Sequence, residues 1–440
     1  MTHNRNHEGE DSDMKELLEI LKKEVKPALG CTGPVSIAFA AAAARDAVGG
    51  TARRATVRMD KDSYKNSLSV GIPGTDRMGI DISVALGAVA GDSKAGLEVL
   101  NKVTPEEEKK AVAFLKNVDV DIFWEYTGMG LRIEAEVETE KGVGKAVVAK
   151  THTNIVYLEA NGKALVDERA GLEGTTFDYS KDAILKYRLA DLWSFAETVP
   201  LADIAFLREG VAMNRKLAEA GLEKGVGAGF GVAYREMAKG SLVLKAKSYT
   251  AAASDARMGG LGFPAMSCAT SGNVGITAML PLVVMAEELG RSEEEMLRAV
   301  ALSYLLTILM KSRIGRLSAI CACAMAAGIG ITAGASMLLG GGLASADRAI
   351  QNMTGCLTGI VCDGAKYGCA LKLSAAAGMA IESALLARDG YVVPKGDGLV
   401  CDSADESMAA IGRTAQEGMT AAATVMARII IEREKAKGRS

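Results

Sequence analysis

VSIAFAAAAARDAVGGTARRATVRMD, residues 35–60, changes its hydrophobic period halfway along. From Val35 to Val48 nearly every residue is apolar and small, the pattern of a helix buried on all sides. After Gly49 and Gly50, Ala55, Val57 and Met59 alternate with Arg54, Thr56, Arg58 and Asp60. That period of two belongs to a half-buried strand. The chain passes from a buried helix into a sheet, and what lies on either side decides how the two are combined.

Upstream, Leu17, Leu18, Ile20, Leu21 and Val25 make an apolar stripe from Met14 to Lys26, which Pro27 ends before a turn at 30–34. Residues 1–13 are polar, lack an apolar targeting core and read as a disordered tail. Downstream, 82–100 and 105–115 read as helices. Ile133, Ala135 and Val137 alternate with Arg132, Glu134, Glu136 and Glu138. A turn at Gly142 to Gly144 leads into a strand over 146–158, closed by the hairpin dipeptide Asn161-Gly162. From Asp182 helical periodicity dominates, with glycine-rich interruptions at 251–273 and 355–369, and 404–437 reads as two helices or one long one. The expected fold is α+β: a mainly helical domain formed by both chain ends (14–50 plus 169–440), with an α+β domain inserted at 51–168.

The composition narrows the function. Lys plus Arg number 51 against 54 Asp plus Glu, and the basic residues are scattered, which speaks against nucleic acid as partner. The thirty residues from Leu317 to Ala346 carry no charge and are long enough to span a bilayer. They are mostly Ala and Gly, however, and insert weakly, so a buried helix hairpin is expected and no membrane partner. Eight cysteines in a chain of 440 residues do not make a disulfide framework, and a reducing cytoplasm suits them.

Few catalytic kits survive the inventory. His152 is the only histidine outside the tail, so a His-rich zinc site is excluded and a Ser-His-Asp triad would need that one residue. The chain lacks a phosphate loop of the Gly-x-x-x-x-Gly-Lys-Ser/Thr kind, and GVGAGFG at 225–231 follows a helical pattern rather than a strand, weak support for a dinucleotide.

The cysteines remain. Cys362 and Cys369 sit in VCDGAKYGCALK. A continuous helix would hold them about 10 Å apart along its axis. Asp363-Gly364 and Gly368 favour a turn that folds the segment back, while Lys366 and Lys372 favour thiolates. On spacing alone, two buried structural cysteines in a glycine-rich loop is the commoner reading, because this is no ferredoxin spacing. Cys321, in RLSAICACAMAAG, has only small neighbours; on a helix Cys323 would face away from it, so one of the two at most should reach a given site. Cys31, in PALGCTGP, precedes a helix whose dipole would lower its pKa, which fits a thiolate base or nucleophile as well as a turn residue.

Taken together, EVKPALGCT (24–32), IPGT (72–75), HTNIV (152–156), ASDARMGG (253–260), TSGNVGIT (270–277), RLSAIC (316–321) and the 362–369 segment resemble the L-cysteine desulfidase family, a relative of the α part of the bacterial iron-sulfur L-serine dehydratases. The resemblance runs from about Leu17 to the C-terminus. It implies a [4Fe-4S] cluster on Cys321, Cys362 and Cys369 with one iron left open, and Cys31 as catalytic cysteine. It implies release of sulfide, ammonium and pyruvate from a small amino-acid substrate, L-cysteine, without pyridoxal phosphate. In similar sequences the position of Cys323 is not reliably cysteine, which favours Cys321. Asn66, His152, Asn154, Arg257, Ser271 and Asn273 are expected to hold the substrate through charge-assisted and amide hydrogen bonds. The residue after Cys-Thr is commonly Glu in the family and is Gly33 here, which keeps an L-serine or related hydroxy-amino-acid dehydratase as the alternative. The oligomeric state is left open, a homo-oligomer included.

Overall fold

The computed structural model describes residues 4–29, 32–72, 75–124, 131–169, 182–315 and 318–436. The first half runs α1 (Asn4–Glu24), β1 (Val25–Leu29), α2 (Thr32–Val48), β2 (Ala52–Asp60), α3 (Lys61–Ser67), α4 (Ile80–Ala90), α5 (Pro105–Phe114), β3 (Val118–Phe123), β4 (Arg132–Thr139), β5 (Gly142–Ala149), β6 (Ile155–Ala160) and β7 (Lys163–Asp167). Strands β2 to β7 form one sheet in the order β3-β2-β4-β5-β6-β7, parallel between β2 and β3 and antiparallel elsewhere. The α3–α5 crossover makes the parallel pair possible, since parallel strands need a long connection.

The alternation at 54–60 is seen as β2, with Ala55, Val57 and Met59 fully buried. The inner face of the sheet is covered by α2 and α4, and its core also takes Ala427 and Ile431 from the far end of the chain. Helix α2, which lies inside the 14–50 segment expected in the helical domain, thus belongs to the packing of the sheet. Gly144 of β5 makes that seat: a Cβ there would lie 1.9 Å from the Ala44 carbonyl oxygen.

Three boundaries differ from expectation. Helix α1 begins at Asn4, inside the expected tail, because an established helix extends through polar residues without any need for burial. The strand expected over 146–158 is two, split where Lys150 takes a left-handed φ of 71°. The turn before β5 lies at Glu140-Lys141 rather than at the glycines. The Asn161-Gly162 turn forms as expected, both residues at positive φ (52° and 82°), which suits a tight hairpin.

The second half is helical: α6 (Leu189–Thr198), α7 (Leu207–Gly221), α8 (Phe230–Ala238) and α9 (Leu242–Met258), then the short β8 (Pro264–Cys268), then α10 (Gly272–Glu288), α11 (Glu293–Ile314), α12 (Met325–Leu338), α13 (Leu343–Leu357), α14 (Cys369–Arg388), α15 (Ala404–Arg413) and α16 (Thr420–Ala436). Helices α10, α11, α12 and α14 share one core with α1 and α6. Most of the uncharged 317–346 run is α12 and the start of α13, while Leu317 lies outside the described residues. Among the described residues α14 alone is long and apolar enough to cross a membrane, and 61% of it is buried in the protein.

Strands β1 and β8 pair as an isolated antiparallel ribbon, from Val25 opposite Cys268 to Leu29 opposite Pro264. The helical stripe masked β1. Pro27 is tolerated there because each strand of the ribbon has a free edge.

Candidate active site

Where the sheet unit meets the helical core, a cavity of about 140 Å³ opens, close to the volume that accepts a benzene-sized molecule. Its thiol wall comes from two loops. A single antiparallel bridge joins Ile320 to Val361. In it the Cys321 amide donates to the Ile360 carbonyl (2.8 Å) and the Cys362 amide to the Ala319 carbonyl (2.7 Å), so two cysteines far apart in sequence become neighbours. Both side chains line the cavity. The turn expected at Asp363-Gly364 is present: Gly364 has φ 99°, and a Cβ on it would lie 2.2 Å from the Lys65 carbonyl oxygen. It returns the chain so that Cys369, first residue of α14, faces the same cavity, its Sγ 3.6 Å from the Gly364 carbonyl oxygen.

Cys321 and Cys369 are buried and Cys362 is partly buried, and that sets their chemistry. Lys366 and Lys372 pull the Cys369 thiol toward thiolate as expected, but burial outweighs them and pushes it up to about 11. Contact with Cys323 and burial raise Cys321, and contact with Cys321 and burial raise Cys362. Thiolates here therefore need a cation to form. Lys366 and Lys372 are themselves engaged by Asp363; burial works against its ionisation, yet the two lysines hold its carboxyl at about 2. Lys372 also donates to the Val361 carbonyl (2.7 Å).

The opposite wall is built for an anion. Helix α10 begins there, with the Ser271 hydroxyl accepting from the Val274 amide (3.4 Å) and the positive end of the helix turned to the cavity. Arg257, at the end of α9, donates through Nη1 to Asn273 Oδ1 (2.7 Å). Its guanidinium lies so close over Gly272 that a Cβ there would meet Cζ at 2.4 Å. The turn before α10 holds Ala269 and Thr270 at φ 47° and 67°, strain of the kind that gathers at functional sites. Buried Lys311 pins that turn by donating to the Ala269 carbonyl (2.8 Å). In all, Lys65, Arg257, Lys311 and Lys372 line the cavity against one carboxylate, Asp62, so its charge favours an anionic ligand.

Of the expected residues, Asn66, His152, Arg257, Ser271, Asn273, Cys321, Cys362 and Cys369 all line this cavity. Burial and the nearby Lys311 charge lower the His152 imidazole to about 4, so it is neutral at pH 7, and its carbonyl is held by the Ser36 hydroxyl (2.7 Å). Asn154 is not in the wall; its side-chain amide donates to the Ala149 carbonyl (3.1 Å) and shapes the β5–β6 turn. Cys31 lies outside the described residues. Thr32 and Gly33, which follow it, line the cavity, and the Thr32 hydroxyl donates to the Thr270 carbonyl (3.5 Å).

Sequence reasoning missed Lys65, Lys311 and Cys323. Lys65 is almost wholly buried, its ammonium bound to Asp62 (2.9 Å) and to the Cys362 carbonyl (3.0 Å). Nothing local marks it, whereas Lys311 stands out as a charge inside the apolar α11 sequence. Cys323 also lines the cavity, against the expectation that only one of the Cys321/Cys323 pair could, because 321–324 is a turn and not helix. The 225–231 glycines belong elsewhere. Two amides of that segment, of Ala228 (3.2 Å) and Gly231 (2.9 Å), donate to the buried Asp255 carboxylate, which takes the place an anion would have.

Among the described residues, no three His, Cys, Asp or Glu side chains converge closely enough for a single ion. The donor set, two buried thiols and one partly buried around one cavity beside lysines, is of a kind that suits a multi-iron cluster, which thiolate ligands select.

Residues 94–427 match the serine dehydratase alpha chain family. The chain is similar to UPF0597 proteins from Clostridium tetani (37% identical over 417 residues; 95% of this chain and 98% of that protein) and Caldanaerobacter subterraneus (39% over 422; 96% and 99%). Another is from Clostridioides difficile (40% over 410; 92% and 96%). These names specify no reaction.

Proposed function

The chain belongs to the serine dehydratase alpha chain family, and from that premise we propose that it is an iron-sulfur lyase that eliminates sulfide from L-cysteine. The observation that carries this reading is the meeting, around one cavity of amino-acid size, of Cys321, Cys362 and Cys369 with the cationic start of α10. When bound on three thiolates, a [4Fe-4S] cluster supplies a Lewis-acidic iron with a position left for substrate.

The chain's own groups supply the rest. Arg257, the α10 amides and the Ser271–Asn273 side chains take the substrate carboxylate by charge-assisted hydrogen bonds. Asn66 and neutral His152 offer acceptors to its ammonium. Cys31, as thiolate, removes the α-proton, after which sulfide leaves and the aminoacrylate hydrolyses to pyruvate and ammonium. Lys65 and Lys372 offset the negative charge of the thiolates where water is scarce. Such chemistry belongs in a reducing cytoplasm.

Anaerobic reconstitution followed by absorption spectroscopy and a sulfide assay with L-cysteine tests this. A protein that takes up neither iron nor acid-labile sulfide sinks it. Replacing Cys31 by Ser should leave cluster absorbance intact and abolish sulfide release. The second reading, L-serine as substrate, is favoured by the family match itself and by Gly33, and it is decided by comparing pyruvate release from the two amino acids.

A further inference from the structure

We propose that Lys311 is a positioning residue for the substrate carboxylate: from α11 it holds the strained turn that aims the first amides of α10. This rests on the reading above that those amides take the carboxylate.

The chain makes one kind of turn twice, from residues of opposite character. In the β6–β7 hairpin Asn161 and Gly162 take φ of 52° and 82°, and both are exposed. Between β8 and α10 an isolated antiparallel bridge joins Cys268 to Ser271, their amides donating to each other's carbonyls at 3.1 and 3.0 Å. The two residues it encloses, Ala269 and Thr270, take φ of 47° and 67°. Positive φ at both central residues is what the commonest two-residue hairpin turn requires, and Asn and Gly meet it at little cost. Ala and the β-branched Thr do not. The first turn forms on the preferences of its own residues, whereas the second has to be held from outside.

Ala269 is where it is held. Its amide donates to the Glu24 carbonyl (2.9 Å) at the end of α1, and its carbonyl accepts from Lys311 Nζ (2.8 Å). Lys311 reaches it from α11 and is only 4% exposed. A hydrogen bond from a charged donor, made away from water, is among the stronger single restraints on a backbone. Released from it, the turn relaxes toward negative φ. Ser271 caps α10, Gly272, Asn273 and Val274 open it, and all four line the cavity. A relaxed turn therefore swings the helix start, and its amides no longer converge on one anion. Lys311 acts on the substrate through Ala269.

The test measures binding of L-alanine, which has the carboxylate and ammonium of the substrate and no group to eliminate. Calorimetry is run on the full chain without iron and again after anaerobic reconstitution, for wild type, Lys311→Met, Ala269→Gly and the double variant. Lys311→Met should bind L-alanine about ten- to a hundredfold more weakly, the range expected for losing a charged hydrogen bond. In reconstituted protein the KM for L-cysteine should rise by a similar factor while kcat stays within about threefold. Glycine at 269 removes the strain, so Lys311→Met should cost far less in the Ala269→Gly background than in wild type. A purely structural lysine would lower stability without that recovery.

Lys311→Met that binds like wild type overturns the inference. So does an equal loss in both backgrounds, because Lys311 would then act by its charge and not through the turn. Should Lys311→Met fail to fold, Lys311→Gln, a shorter donor, is measured against the same two criteria. A wild type that binds L-alanine but takes up no cluster removes the cluster reading, and the calorimetry still decides on Lys311. A wild type that binds no L-alanine in either form removes the carboxylate site and this inference with it.

Discussion

The chain contains two glycine-rich loops that look alike in composition and do opposite things. The loop at 225–231 has Gly225, Gly227 and Gly229 at positive φ and wraps its amides around Asp255, so its polar groups are consumed by the fold. The loop at 359–368 has Gly364 at positive φ, spends its polar groups on Lys65 and Lys372, and leaves Cys362, with Cys369 just after it, facing a cavity. Glycine content marks tight backbone in both. What separates structure from chemistry is whether the groups the loop presents already have a partner inside the protein.

The sharpest way to break this contrast is to remove a presented group from the second loop. Cys362→Ala should reduce bound iron and turnover to background while the apo protein melts close to wild type, measured by iron analysis and calorimetry. Gly364→Val attacks the backbone instead. The Cβ meets the Lys65 carbonyl in a conformation that side chains rarely adopt, so a loss of about 3 kcal/mol or more is expected in denaturant unfolding, together with the cluster. For the first loop, replacing its partner in α9, Asp255→Ala, strands buried amides and should cost about 2–4 kcal/mol. Iron per folded molecule should not change, and if it falls the two loops are not independent.

The smallest effect concerns pH. The folded-state pKa of His152 lies below its unfolded value, so the folded protein binds fewer protons there. Its contribution is complete above about 6.5 and is lost as the pH falls toward about 4. Since His152 is partly exposed, about 1 kcal/mol is expected, and unfolding of His152→Gln should lack that part of the acid slope.

Much of this was legible in the sequence because it is local. The alternation at 54–60, the Asn161-Gly162 turn and the reversal at Asp363-Gly364 all follow from residues adjacent in the chain. Eight of the ten expected site residues line the cavity, and every motif of the resemblance except IPGT (72–75) contributes to its wall. What escaped depends on distant partners. The ribbon β1–β8 needs Pro264 to Cys268 before Val25 to Leu29 can be a strand. Lys65 lies in KDSYKNS, which by composition belongs on a surface, and only docking against Cys362 buries it. Cys323 was misread because the sequence around it is helical by propensity, whereas the Ile320–Val361 bridge holds its start open.

The contact between Lys65 and Cys362 spans 297 residues, and that separation imposes a schedule on the growing chain. At ordinary elongation rates of about 5–20 residues per second, roughly 15–60 s pass between the synthesis of the lysine and of its carbonyl partner. Throughout that interval the ammonium has to stay in water, so α3 cannot settle into its final position. Cys321, Cys362 and Cys369 leave the ribosome late, after the sheet that supplies Lys65 has been made. A cluster held by these thiols would therefore be loaded near the end of biogenesis, on a cavity whose far wall is already waiting.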